Sequence, residues 1–166
     1  SPFTMSATAS AILFNNAVPV FADINENDFC IDPDKIEKLI NKNTKAILVV
    51  NLFGGSADYN SILKIARKYD LKVIEDNAQS AGSGYNSKFT GTIGDIGIFS
   101  FNVHKVIQSG EGGMIVTNNK RYAFRAKLIR NHGEAVINDL KNKGVFEPVL
   151  GNNFRMTELQ AAIVIE

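Results

Sequence analysis

Three segments of the chain hold residue types able to do chemistry. The first is Glu75-Asp76-Asn77-Ala78-Gln79, directly after an apolar run. A carboxylate there loses water on the strand side, so it needs a cation or hydrogen-bond donors to stay ionised, or it serves as the cap of a following helix. The second is Ser100-Phe101-Asn102-Val103-His104-Lys105. A lysine between two strands is either a surface cation or a desolvated amine fit to form a Schiff base, and taken alone the surface cation is the commoner case. The third is Ser109-Gly110-Glu111-Gly112-Gly113. Its glycines permit sharp turns and close backbone approach, but the Walker lysine-serine ending and the dinucleotide spacing are absent, so a tight turn is the favoured reading.

The two histidines, His104 and His132, have no carboxylate cluster at metal-binding spacing around them, and no metal site is predicted. His132 sits in Arg130-Asn131-His132-Gly133, which reads as a helix end with Gly133 in the left-handed conformation. No serine nucleophile elbow surrounds Ser100 or Ser109.

Elements that alternate in type must position these segments. Residues 7–15 read as a helix and 19–24 as a short buried strand. Asp32-Pro33 opens a helix with an Asp cap and a proline at the first position, and Ile36, Leu39 and Ile40 form its apolar stripe. Residues 45–51 are a continuous apolar run, as in a strand covered on both faces. An amphipathic helix over 58–68 and a buried strand over 71–75 follow. Residues 80–94, with four glycines, read as loops. Short strands are predicted over 96–101 and 113–117, and a basic helix over 120–130. Residues 131–153 read as irregular and mobile; a helix capped by Thr157 resumes to Glu166. The succession implies α/β architecture, a mainly parallel sheet between helical layers, whose ligands lie beyond the carboxyl ends of the strands.

Composition sets outer bounds. The 166 residues are 45% hydrophobic and 21% charged, which excludes a disordered chain. A net charge of +1 gives no footprint of a nucleic-acid or membrane-surface binder. One cysteine, Cys30, precludes an internal disulfide and fits a reducing, cytoplasmic setting. Apolar runs are too short to span a bilayer, and no signal peptide is visible. The chain opens mid-motif at Ser1-Pro2-Phe3-Thr4 and stops inside a helical pattern, so it is expected to be cut at both ends.

The ordered set resembles the DegT/DnrJ/StrS sugar aminotransferases, fold-type I enzymes that use pyridoxal 5′-phosphate. The resemblance rests on Pro2-Phe3-Thr4 with Ala7-Thr8, Pro19-Val20-Phe21, Glu75 through Ser80, Gly94-Asp95, Phe99-Ser100-Phe101, Lys105, Gly110 through Gly113, Arg130 through Gly133, and Asn153-Phe154-Arg155-Met156 with Glu158 through Ala162. It spans essentially the whole chain. It implies a three-layer sandwich, here the central part of the large domain, with an upstream segment and a small C-terminal domain missing. It implies that Lys105 holds the cofactor covalently and shuttles the proton, and that Asp76 pairs with the pyridine nitrogen. Gln79 would lie beside the ring and its phenolic hydroxyl, and Ser100 would bind the phosphate. Asn153 would reach the phosphate of the partner subunit's cofactor in a homodimer. Met5 stands where an aromatic ring commonly meets the cofactor, and Asn51 where histidine is frequent; both would alter cofactor packing.

The reaction so implied moves an amino group, with L-glutamate the usual donor, to a nucleotide-linked keto sugar, for polysaccharide or amino-sugar synthesis. Two alternatives share the fold. Keto-sugar dehydratases carry histidine at the lysine position, but Ser100 plus five lands on Lys105, not His104. Regulatory homologues lose the lysine, whereas Lys105 and Asp76 are both present here. A generic dinucleotide binder would need a glycine fingerprint after the first strand, and none occurs near Ile24 or Asn51. The 166-residue segment alone is expected to be inactive and to bind cofactor poorly; transaminase turnover by it would overturn that.

Overall fold

The computed structural model describes residues 1–134 and 149–166. Two runs rich in β-branched residues form the first two strands of the main sheet, β1 (Ala46–Val50) at one edge and β2 (Lys72–Asp76) beside it. A small hairpin, β3 (Gly84–Tyr85) and β4 (Lys88–Phe89), precedes β5 (Ile96–Ser100) and β6 (Gly113–Val116). The sheet order is β1-β2-β5-β6. β1 and β2 pair in parallel from Ala46↔Lys72 to Val50↔Asp76. β2 and β5 are also parallel, with Asp76 opposite Ile98. β6 returns antiparallel on the outer edge, Ser100 facing Gly113. The helices are α1 (Ser6–Leu13), α2 (Pro33–Ile36, continued by a 3-10 turn to Leu39), α3 (Tyr59–Lys68), α4 (Lys120–Arg130) and α5 (Glu158–Ile165). None of them is long and apolar enough to cross a membrane.

Helix starts follow local capping chemistry. Asp32 accepts from the Asp34 amide at 2.9 Å, ahead of Pro33. Asp58 caps α3 through the Ser61 amide, and Asn119 caps α4 through two amides. Thr157 and Gln160 satisfy each other's backbone amides in a capping box at α5. Such caps are each worth about 1 kcal/mol.

The pleat divides the sheet into two faces. Ile47, Val49, Val73 and Glu75 share one face and are at most 5% exposed. Tyr59, Ile62, Ile65 and Ala66 of α3, with Ile36 of α2, complete that apolar cluster. Asp76 points to the opposite face, where Thr8 of α1 meets it. Helices therefore lie on both sides of a mainly parallel sheet, as the alternating pattern predicts.

Two features differ from the sequence reading. Residues 19–24 do not form a buried strand: Val18, Val20 and Phe21 are 82%, 61% and 49% exposed, and only Ile24 bridges Ile31. Apolar content alone does not make a strand; this run has a backbone partner only at the 23–25 and 30–32 turn. Within the predicted 80–94 loop, Asn86 and Ser87 both adopt positive φ, 48° and 62°, and close the β3–β4 hairpin. Positive φ at both central positions is the twist a two-residue hairpin turn requires. Most of the predicted 131–153 irregular segment lies outside the described residues.

Asp58 also accepts from the Tyr85 hydroxyl at 2.8 Å, tying the hairpin to the start of α3. Its carboxyl is held below the usual range, mainly by the Ser61 hydrogen bond. A depressed carboxyl stabilises the fold above its ordinary titration range and loses that contribution as pH falls through the folded value. Asp58→Ala should cost about 1 kcal/mol at neutral pH, with the gap to wild type shrinking below about pH 4. Urea melts at several pH values check this, and a gap constant down to strongly acidic pH would contradict it.

Candidate functional site

Parallel strands deliver their carboxyl ends to one end of the sheet, where ligands of such sheets bind. The pivotal position is the end of β2, where two adjacent carboxylates leave on opposite faces. Glu75 is fully buried. Its carboxylate accepts from the amides of Gly91 (2.6 Å), Ile93 (2.6 Å) and Gly94 (2.5 Å). Three donors offset the cost of burying the charge. The arrangement needs glycine at 97, because a Cβ there would lie 1.8 Å from the Gly91 carbonyl oxygen. Burial, helped by the nearby Glu75 charge, pushes the Tyr59 hydroxyl far above its ordinary range. Tyr59 instead joins Asn51 (2.8 Å), which also donates to Asn77 at 3.0 Å and accepts from the Ala57 amide at 3.2 Å. Asn51 is thus committed to a buried network that fixes the strand ends.

Asp76 is half-buried on the other face. Its Oδ1 accepts from the Ala78 amide at 3.2 Å and its Oδ2 from the Thr8 hydroxyl at 2.8 Å. Thr8 has one hydroxyl proton, given to Asp76, so Thr4, 2.9 Å away, donates to Thr8. Gln79 lies three residues on. Its Oε1 accepts from the Phe53 amide at 3.3 Å, and its NH2 group has no acceptor among the described residues.

Ser100 ends β5, its Oγ accepting weakly from the Asn102 amide at 3.4 Å. Lys105 follows in the loop that leaves the same sheet end. It is half-buried, its amide donates to the Asn102 carbonyl at 2.9 Å, and no carboxylate pairs with it among the described residues. Asn102 donates to Glu111 at 2.8 Å, and the amides of Phe101 and Val103 donate to the carbonyls of Gly112 and Gly110. Gly110 and Gly112 both have positive φ, 83° and 149°. The glycine run therefore shapes the turn that clamps the lysine loop. His104 is exposed, with its backbone amide on Asn102 Oδ1. His132 and Gly133 close the end of α4, with Gly133 at φ 78° and its amide on the Leu128 carbonyl.

The remaining predicted residues are more peripheral. Met5 caps α1 by position only and is 67% exposed. Asn153 is exposed, bridges Asn131 and accepts from the Arg155 amide; it has no hydrogen bond to the other predicted site residues among the described residues. Arg155 also donates to Asn131. A surface cavity of about 510 Å³ opens among Ile40, Lys45, Tyr69 and Leu71 at the amino ends of β1 and β2, away from this constellation. The sequence reading named Thr4, Thr8 and Gly94 within the family resemblance but gave them no role, and it did not name Ile93 or Gly91. The four-residue spacing of Thr4 and Thr8 was a further available signal.

Replacing Gly97 by alanine should force the 91–94 loop off Glu75 and destabilise the fold by about 3 kcal/mol or more. Chemical denaturation of the variant measures it, and wild-type stability would contradict this account of the loop.

Comparison with known proteins follows the same order of segments. The family model for the DegT/DnrJ/EryC1/StrS aminotransferases matches residues 1–166. The chain is 41% identical over 160 residues to the GDP-perosamine synthase of Caulobacter vibrioides, covering 96% of this chain and 42% of that protein. The aminotransferase from Psychrobacter cryohalolentis superposes with a TM-score of 0.91 at 33% identity, over 98% of this chain and 42% of the other. Helicobacter pylori PseC, an aminotransferase involved in pseudoaminic acid biosynthesis, gives 0.88 at 37% identity, over 99% and 43%. The chain thus spans well under half the length of these relatives, and throughout that span it belongs to the DegT/DnrJ/EryC1/StrS aminotransferase family.

Proposed function

We propose that this chain is the central part of the cofactor-binding domain of a pyridoxal-phosphate-dependent aminotransferase. The complete enzyme moves an amino group from L-glutamate to a nucleotide-linked keto sugar, in polysaccharide or amino-sugar biosynthesis. It works as a homodimer in the cytoplasm. The observation that carries this reading is an anchored carboxylate and, at the same end of the sheet, a lysine with no acidic partner among the described residues.

The residues present fit the cofactor. Each Asp76 oxygen uses one acceptor position and keeps another for a protonated ring nitrogen. The NH2 of Gln79, which has no acceptor among the described residues, can donate to a phenolic oxygen. Ser100 Oγ, only weakly engaged, can serve a phosphate. Bound there, the cofactor supplies an electron sink for the pair left when a proton leaves the amine-bearing carbon.

Lys105 Nζ would hold the cofactor and would carry that proton. No carboxylate among the described residues pairs with it, so none of these locks the amine in a salt bridge. Asp76 keeps a positive charge favourable at the ring nitrogen. The Met5 thioether, exposed at the start of α1, would pack on the ring in place of an aromatic side chain. Exposed Asn153 is available to a neighbouring subunit's phosphate. The dehydratase alternative is disfavoured, since the lysine is present and His104 is exposed beside it.

With amine-labelled L-glutamate and a panel of nucleotide-linked keto sugars, the complete protein should give a labelled amino sugar. Lys105→Ala should lower turnover about a thousandfold or more, and Asp76→Asn about a hundredfold. Loss of a sugar hydroxyl without label incorporation would favour the dehydratase; unchanged turnover in Lys105→Ala would reject the reading.

A further inference from the structure

We propose that Thr8 is a positioning residue that orients the Asp76 carboxylate for its ring-nitrogen partner, with Thr4 completing a directed hydroxyl relay. The proposal rests on the aminotransferase reading above and assigns a role to residues outside the set that reading uses.

Thr8 gives its only hydroxyl proton to Asp76 Oδ2 at 2.8 Å, so its oxygen is free to accept. Thr4, one helical turn earlier and 2.9 Å away, fills that position as donor. Dipoles in such a chain point the same way, which strengthens the terminal bond to the carboxylate. The Ala78 amide holds the other oxygen at 3.2 Å. Two donors on two oxygens fix the rotation of the carboxylate plane, which a single bond would leave free. The link is also long in sequence: Thr8 on α1 reaches the end of β2 across 68 residues. It is the one side-chain hydrogen bond between α1 and the sheet among the described residues, so its evident effect is on Asp76. Glu75, by contrast, is satisfied wholly by backbone amides on the other face and takes no part.

The test compares Thr8→Val, Thr8→Ser and Thr4→Val in the complete protein. Thr8→Val should weaken pyridoxal phosphate binding about tenfold and lower kcat about tenfold, leaving the KM for L-glutamate within about twofold. Thr8→Ser should restore both, and Thr4→Val should fall between. In cofactor-free protein, the carboxyl carbon NMR resonance of Asp76 should move in Thr8→Val and return in Thr8→Ser. Wild-type affinity and kcat in a folded Thr8→Val, or an unmoved Asp76 resonance, would overturn the proposal. If Thr8→Val does not fold, wild-type affinity in Thr4→Val together with an unmoved resonance overturns it instead. A wild type that binds no cofactor would instead reject the aminotransferase reading, while the resonance still decides whether Thr8 orients Asp76.

Discussion

The site is organised by the burial of one carboxylate beside another at the end of β2. The pleat sends Glu75 and Asp76 to opposite faces, and the interior face has no water to solvate Glu75. Three amides from residues 91–94 must therefore converge on it. Their convergence lays that loop across the sheet, and glycine at 97 makes room for it. β5 begins directly after this loop and pairs with β2 in parallel. The position of Ser100, and of the loop carrying Lys105, is thereby tied to the same buried charge.

On the outer face the same strand end offers Asp76 to solvent and to α1. Satisfaction there is partial: two donated hydrogen bonds hold the group and leave acceptor capacity. The contrast between a closed inner carboxylate and an open outer one is what allows structure and chemistry to share two adjacent residues. Asn51, Tyr59 and Asn77 serve the inner side, joining the ends of β1 and β2 in a satisfied polar network. The clamp from Asn102 to Glu111 does the equivalent work beyond β5, giving the lysine loop a fixed base.

Features set by local chemistry were legible in the sequence. The Asp32-Pro33, Asp58 and Thr157 helix starts, the β1 and β2 runs, and the α3 stripe all depend on residues within a few positions of one another. Features set by distant partners were not. Residues 19–24 look like a strand but have a backbone partner only near Ile24. The hairpin at Asn86-Ser87 needs two positive φ values that the sequence signals only faintly. The Thr8 to Asp76 bond and the three donors to Glu75 join residues that no periodicity connects. For the site, Asp76, Gln79, Ser100 and Lys105 each read ambiguously alone; their order along the chain gave them meaning. The structure brings these four to one sheet end, whereas exposed Asn153 stands apart with Asn131.

The central claim is that Lys105 is the amine that carries the cofactor. The most direct measurement is borohydride reduction of the complete protein with pyridoxal 5′-phosphate, followed by mass mapping of the labelled peptide. The account predicts a cofactor adduct on Lys105 and none in the Lys105→Ala protein. A wild type that takes up no cofactor, or an adduct that persists on another lysine when Lys105 is removed, would contradict it.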